Sequence, residues 1–312
     1  MIHLIVTHYS SIALMITLPV FATAFGQSRI AKAAFAALNQ QPAHDAGIKK
    51  LFFAGIALSE TVALIAVLAT AYLFNNSLTH DVQTYTRIGT CMAIIIPCVI
   101  VAYFGSLSIV QALGSAARQP FLTNQILSFV LITQSLMQTP VIFCAIFALI
   151  IEYQASSVAT LPPALQLFAV GLVLSLSSIG PCFGLSHFIA QACHSLRFNR
   201  AAFSKIFSFT FITQAIIETP FLFGLATGIV MLQLNQLTFM KSIALLSAAI
   251  ALGGATLPVS IVSARASSKV LNGIALNPEN TSILSRFSLF CQAFIDTTAV
   301  YGLIIALMLI IF

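Results

Sequence analysis

Charge is what this 312-residue chain has least of. Only 6% of its residues are Asp, Glu, Lys or Arg, against about 25% in soluble globular proteins. With 59% hydrophobic residues, that deficit excludes a soluble fold and leaves an integral membrane protein. No stretch remains for a soluble domain, because the longest polar connection is about 20 residues. No CxxC pair is present. Cys91, Cys98, Cys144, Cys182, Cys193 and Cys291 are scattered in or beside apolar segments, so free thiols packed as small hydrophobes are expected, not a metal site or a disulfide framework. The net charge of +6 is not clustered, which removes nucleic acid as a partner. The first apolar segment has no basic flank before it and no small-residue cleavage site after it. It reads as a retained helix and not as a removed signal peptide.

Eight apolar stretches reach the length of about 20 residues that spans a bilayer. They lie near 4–27, 51–74, 89–113, 126–151, 164–190, 205–233, 240–262 and 286–312. The expected class is an all-α membrane protein of eight transmembrane helices, paired as four tandem hairpins over residues 1–77, 78–155, 156–235 and 236–312. Basic residues sort between the connections. Arg29, Lys32, Lys49, Lys50, Arg118, Arg197, Arg200, Lys205, Arg265, Lys269 and Arg286 fall within hairpins, whereas Arg87 and Lys241 alone fall between them. By the positive-inside bias, the loops within hairpins are cytoplasmic and both termini lie on the opposite side. The expected location is a bacterial inner membrane.

The hairpins repeat. Glu60, Gln138, Glu218 and Asp296 recur 78, 80 and 78 residues apart, each followed by a threonine. Pro42, Pro120 and Pro278 each stand 18 residues before a site residue, and Arg200 holds that place in hairpin three. Phe25-Gly26, Phe104-Gly105 and Phe183-Gly184 recur at intervals of 79. Gln134, Gln214 and Gln292 precede their site residues by four positions and so share a helix face with them; packing bridges are the expected role. A carboxylate near a bilayer centre costs about 3 kcal/mol on insertion scales and marks an ion path or proton relay. Three such acids at one spacing, with no mid-membrane base to pair them, point to an ion-translocating machine built from repeats. Glu152 reads as an interfacial charge beyond a helix end, and Asp45, Asp81 and Glu279 as solvated loop residues. His187 and His194 lack a second ligand at helical spacing, so no metal is expected there.

The segment Gln292-Ala293-Phe294-Ile295-Asp296-Thr297-Thr298-Ala299-Val300-Tyr301-Gly302-Leu303 and the loop Ala116-Ala117-Arg118-Gln119-Pro120 resemble the proteolipid c subunits of rotary ATP synthases, multiplied four times. The vacuolar-type proteolipid is a close variant. The resemblance implies a homo-oligomeric ring in membrane lipid, with or without other c-type subunits. An a-type subunit and the central-stalk subunits would be its partners, and it would have no catalytic chemistry of its own. It implies that Glu60, Glu218 and Asp296 carry ions, with Thr61, Thr219 and Thr297 as hydroxyl partners and Tyr301 beside the last. Arg118, Gln119 and Pro120 would touch the stalk. Gln138 cannot ionise, so hairpin two would carry nothing. Three acids over four hairpins would lower the ions moved per ATP by a quarter against a ring of equal size with an acid in each.

No cofactor is implied, only a coupling ion. Sodium-binding relatives present a helix-one glutamine with the acid and a hydroxyl; Gln27, Glu60 and Thr61 could supply such a set once, but the glutamine is not repeated. Protons are favoured and sodium stays open, as does synthesis against ATP-driven pumping. The competing reading is a secondary ion-coupled transporter, in which repeats and buried acids also occur.

Overall fold

The computed structural model describes residues 2–235 and 238–311. It is all-helical: α1 (Ile2–Gln40), α2 (Asp45–Asn75), α3 (Gln83–Arg118), α4 (Thr123–Met137), α5 (Thr139–Ala155), α6 (Leu161–Ser195), α7 (Phe203–Leu232), α8 (Phe239–Leu276) and α9 (Thr281–Ile311). With α4 and α5 as one interrupted span, eight helices are long and apolar enough to cross a membrane. They run well past the apolar windows of the sequence. A 36-residue helix such as α3 is about 54 Å long, against about 30 Å of hydrocarbon.

Each hairpin turns through a short 3₁₀ segment: Pro42–His44, Pro120–Leu122, Arg200–Ala202 and Pro278–Asn280. Proline suits the first position because its φ is already set and its missing N–H would go unpaired there. Hairpin three, which has Arg200 instead, uses a different device: the Asn199 side chain accepts from the Ala201 N–H at 2.9 Å, a capping bond. The turns are knitted to one another. His44 Nε2 lies 2.7 Å from Thr123 Oγ1, Gln119 Nε2 donates to the Arg197 carbonyl at 3.3 Å, and Lys205 Nζ donates to the Pro278 carbonyl at 2.8 Å.

The four first helices, α1, α3, α6 and α8, stand side by side as an inner row, and the second helices lie against its outer side. Small residues set the inner spacing. A Cβ on Gly26 would stand 2.5 Å from the Ala102 carbonyl, and one on Gly184 2.8 Å from the Ser260 carbonyl. The first contact joins hairpins one and two, and the second is its counterpart between hairpins three and four. Close backbone approach maximises dispersion in lipid, where no hydrophobic drive pulls helices together. The bulkier outer helices leave Leu64, Leu68, Phe211, Leu222, Phe290 and Phe294 exposed, as a face against acyl chains requires.

Two sequence expectations need correction. Glu152 is no interfacial charge: it is 4% exposed and lies within α5, its carboxylate 2.6 Å from Arg87 Nη2. Arg87 is no connecting-loop residue either, being 1% exposed within α3. Its guanidinium also donates to the Asn76 carbonyl at 2.6 Å, and Thr90 Oγ1 donates to Glu152 at 3.0 Å. Each charge is paired because a buried lone one would cost several kcal/mol.

Candidate functional site

The four site residues stand at the same number of residues from the turn. Asp45 to Glu60, Thr123 to Gln138, Phe203 to Glu218 and Thr281 to Asp296 each span fifteen residues from the start of the outer helix. At 1.5 Å per residue that is about 22 Å from the turn. Glu60, Glu218 and Asp296 sit on outer helices, and Gln138 stands at the break between α4 and α5.

The four differ in their surroundings. Glu60 is exposed on α2, and Gln27 Nε2 of α1 donates to its Oε1 at 3.1 Å. This joins two of the residues that the sequence grouped as an ion site. The third, Thr61, is engaged elsewhere: its hydroxyl lies 2.7 Å from the Leu58 carbonyl and donates at 2.7 Å to Gln138 Oε1 of the next hairpin. Gln138 Nε2 in turn donates to the Leu58 carbonyl at 2.8 Å. The span breaks at Gln138, between α4 and α5, with Pro140 beyond it. Pro220 occupies the matching place in hairpin three, yet α7 runs through it unbroken.

Glu218 is half-buried and faces Thr139 of hairpin two. Its Oε1 is buried without a hydrogen-bond partner among the described residues, as is Oδ1 of Asp296. Thr219 donates back to the Ala215 carbonyl at 3.2 Å and Thr297 to the Phe294 carbonyl at 2.6 Å. So no site threonine hydrogen-bonds the acid beside it; where a threonine meets a site residue, that residue belongs to the following hairpin. Tyr301 is 66% exposed on α9. Arg118 is exposed at the end of α3, with Gln119 and Pro120 opening the turn.

Two of the preceding glutamines bridge helices, and the third bonds within its own helix. Gln134 donates to the Gly105 carbonyl at 2.8 Å and Gln214 to the Thr133 carbonyl of hairpin two at 2.9 Å, while Gln292 reaches Ser288. Sequence reasoning missed the Leu58 carbonyl as an acceptor, since any residue supplies one. It also missed Arg29, whose guanidinium packs 3.9 Å from the Tyr103 ring centroid and bonds the Tyr103 hydroxyl. Chemically, the row can hold neutral carboxyls against lipid on one face and hydroxyls and carbonyls on the other. No cluster of three metal-ligating side chains occurs among the described residues.

The chain is similar in sequence to known proteins. The family model described as the ATP synthase C subunit matches residues 11–73 and 246–309, within the first and last hairpins. The ATP synthase c subunit of Thermosynechococcus vestitus is 38% identical over 69 residues, which cover 84% of that protein and 22% of this chain. Together with the repeated hairpins, these matches establish that the chain belongs to the ATP synthase C subunit family, as a multi-hairpin proteolipid.

Proposed function

We propose that the chain is an arc of a rotor ring in a rotary membrane ATPase or ATP synthase, and that its acids carry the coupling ion. As a member of the c-subunit family it is a non-catalytic integral membrane protein. The reading rests on one observation above the others: three carboxyls and one amide, each fifteen residues beyond the start of its hairpin's second span. A lipid-facing acid disfavours its ionised form. Glu60, Glu218 and Asp296 therefore travel neutral through acyl chains and give up the ion only where a partner, an a-type subunit, offers a polar port.

The coupling ion is the proton. Sodium needs several oxygen ligands at once. The one acid with a helix-one glutamine, Glu60, has its neighbouring hydroxyl committed to Gln138, and all sites must bind the same ion.

Ring closure is supported by packing. The inner helices touch one another extensively and the outer ones sparingly. A row packed tighter on one side curves, and continuing the curve with further copies closes it. The basic turns, including Arg118, Gln119 and Pro120, face the cytoplasm, where a central stalk would seat. Imaging the assembly purified from its membrane, along the membrane normal, tests this. A closed ring whose hairpin count fits whole chains is expected; a lone monomer would refute it.

A further inference from the structure

Gln138 makes two hydrogen bonds of opposite sense to the preceding hairpin. Its Nε2 donates to the Leu58 carbonyl at 2.8 Å and its Oε1 accepts from Thr61 at 2.7 Å. The orientation of the amide follows from chemistry: a carbonyl can only accept, so the NH₂ must face Leu58. Gln138 is buried, and both its amide nitrogen and its amide oxygen have a partner.

A protonated carboxyl in the same place would present one donor and one acceptor in the same plane and could make the same two bonds. An ionised carboxylate could not, because it is acceptor-only and would set oxygen against the Leu58 carbonyl. The pairing of a carbonyl with a threonine hydroxyl recurs one hairpin on. Thr139 Oγ1 lies 2.6 Å from the Leu136 carbonyl, as Thr61 does from Leu58, and Glu218 faces Thr139 with a buried, unpartnered Oε1. Asp296 is one methylene shorter than Glu218, and Thr219 turns to the Ala215 carbonyl instead.

We infer that Gln138 is a permanent stand-in for the ion-loaded acid. Its amide latches hairpin two to hairpin one in the arrangement that a protonated carboxyl adopts. Hairpin two therefore passes the releasing port without opening, and the gap in the row of carriers is filled by a fixed neutral bond, not by an idle side chain. The inference rests on the carrier reading above.

The test is Gln138→Glu in the full-length assembly, treated with a carbodiimide, which attacks protonated acids in apolar surroundings, beside the wild-type protein. Peptide masses are expected to show four labelled acids in place of three, the introduced carboxyl at position 138 to the same extent as Glu218. If Glu60, Glu218 and Asp296 react but the introduced carboxyl does not, the stand-in is refuted and the rotor reading survives. If those three stay unlabelled in the wild type, the carrier reading itself falls. The converse variant guards against a failure to assemble: Glu218→Gln should hold the assembly to a higher temperature than Glu218→Leu, because the amide can bond both Leu136 and Thr139. Equal melting of the two would overturn the inference, and so would failure of Gln138→Glu to assemble at all.

Discussion

Arg87 of α3 and Glu152 of α5 form a 2.6 Å ion pair, each side chain almost wholly withdrawn from solvent. The pair ties inner to outer helix in hairpin two, near the end away from the turn, and takes in the Asn76 carbonyl beyond hairpin one's second helix. Removing one partner strands the other charge. Glu152→Leu or Arg87→Met alone is expected to cost about 3–5 kcal/mol, whereas the double substitution is expected to recover most of it. Thermal unfolding of the three variants in detergent measures the difference.

Close packing of α6 on α8 depends on the absence of a side chain at Gly184. A Cβ there would meet the Ser260 carbonyl at 2.8 Å, and backbone cannot step aside. Gly184→Leu is expected to lower stability by about 1–3 kcal/mol or more. Gly254→Ala is the control, since a Cβ at Gly254 meets nothing within 4 Å. Melting temperatures of the two variants should separate clearly.

The glutamine bridges carry a smaller load. Gln214 donates at 2.9 Å to Thr133 of the preceding hairpin, wholly buried. Gln214→Leu is expected to cost about 1 kcal/mol, the net worth of a neutral hydrogen bond. A double cycle with Gln134→Leu should show coupling, because the acceptor of Gln214 is the carbonyl of Thr133, which directly precedes Gln134.

Helix number, hairpin pairing and the period of the acids were legible in the sequence because lipid enforces them. Apolar length, positive-inside bias and the Pro42, Pro120 and Pro278 turns are all local signals. Partner choice was not local. Nothing near Glu152 in the chain announces Arg87, 65 positions away, so an acid at the edge of an apolar stretch read as interfacial. Thr61 was expected to serve Glu60, one residue before it. It serves Gln138 instead, because neighbours in a helix point about 100° apart while the facing hairpin stands opposite. The Gln27–Glu60 pairing was anticipated from the resemblance to sodium-binding relatives, which set a helix-one glutamine beside the acid.

Gln27 serves one acid alone, so its loss should be felt at one acid alone. Gln27→Leu removes the donor to Glu60 Oε1 and leaves the carboxyl free to react. Carbodiimide labelling at Glu60 is expected to rise roughly threefold, as loss of a partly exposed hydrogen bond of under about 1 kcal/mol would produce. Glu218 and Asp296 should label as before.

Covalent labelling of the native assembly addresses the central claim, that three acids ride in lipid as neutral carriers. After carbodiimide treatment, the digested chain should carry adducts at Glu60, Glu218 and Asp296, with Asp45, Asp81, Glu152 and Glu279 unmodified. Adducts spread over the loop acids, or absent from those three positions, would contradict it.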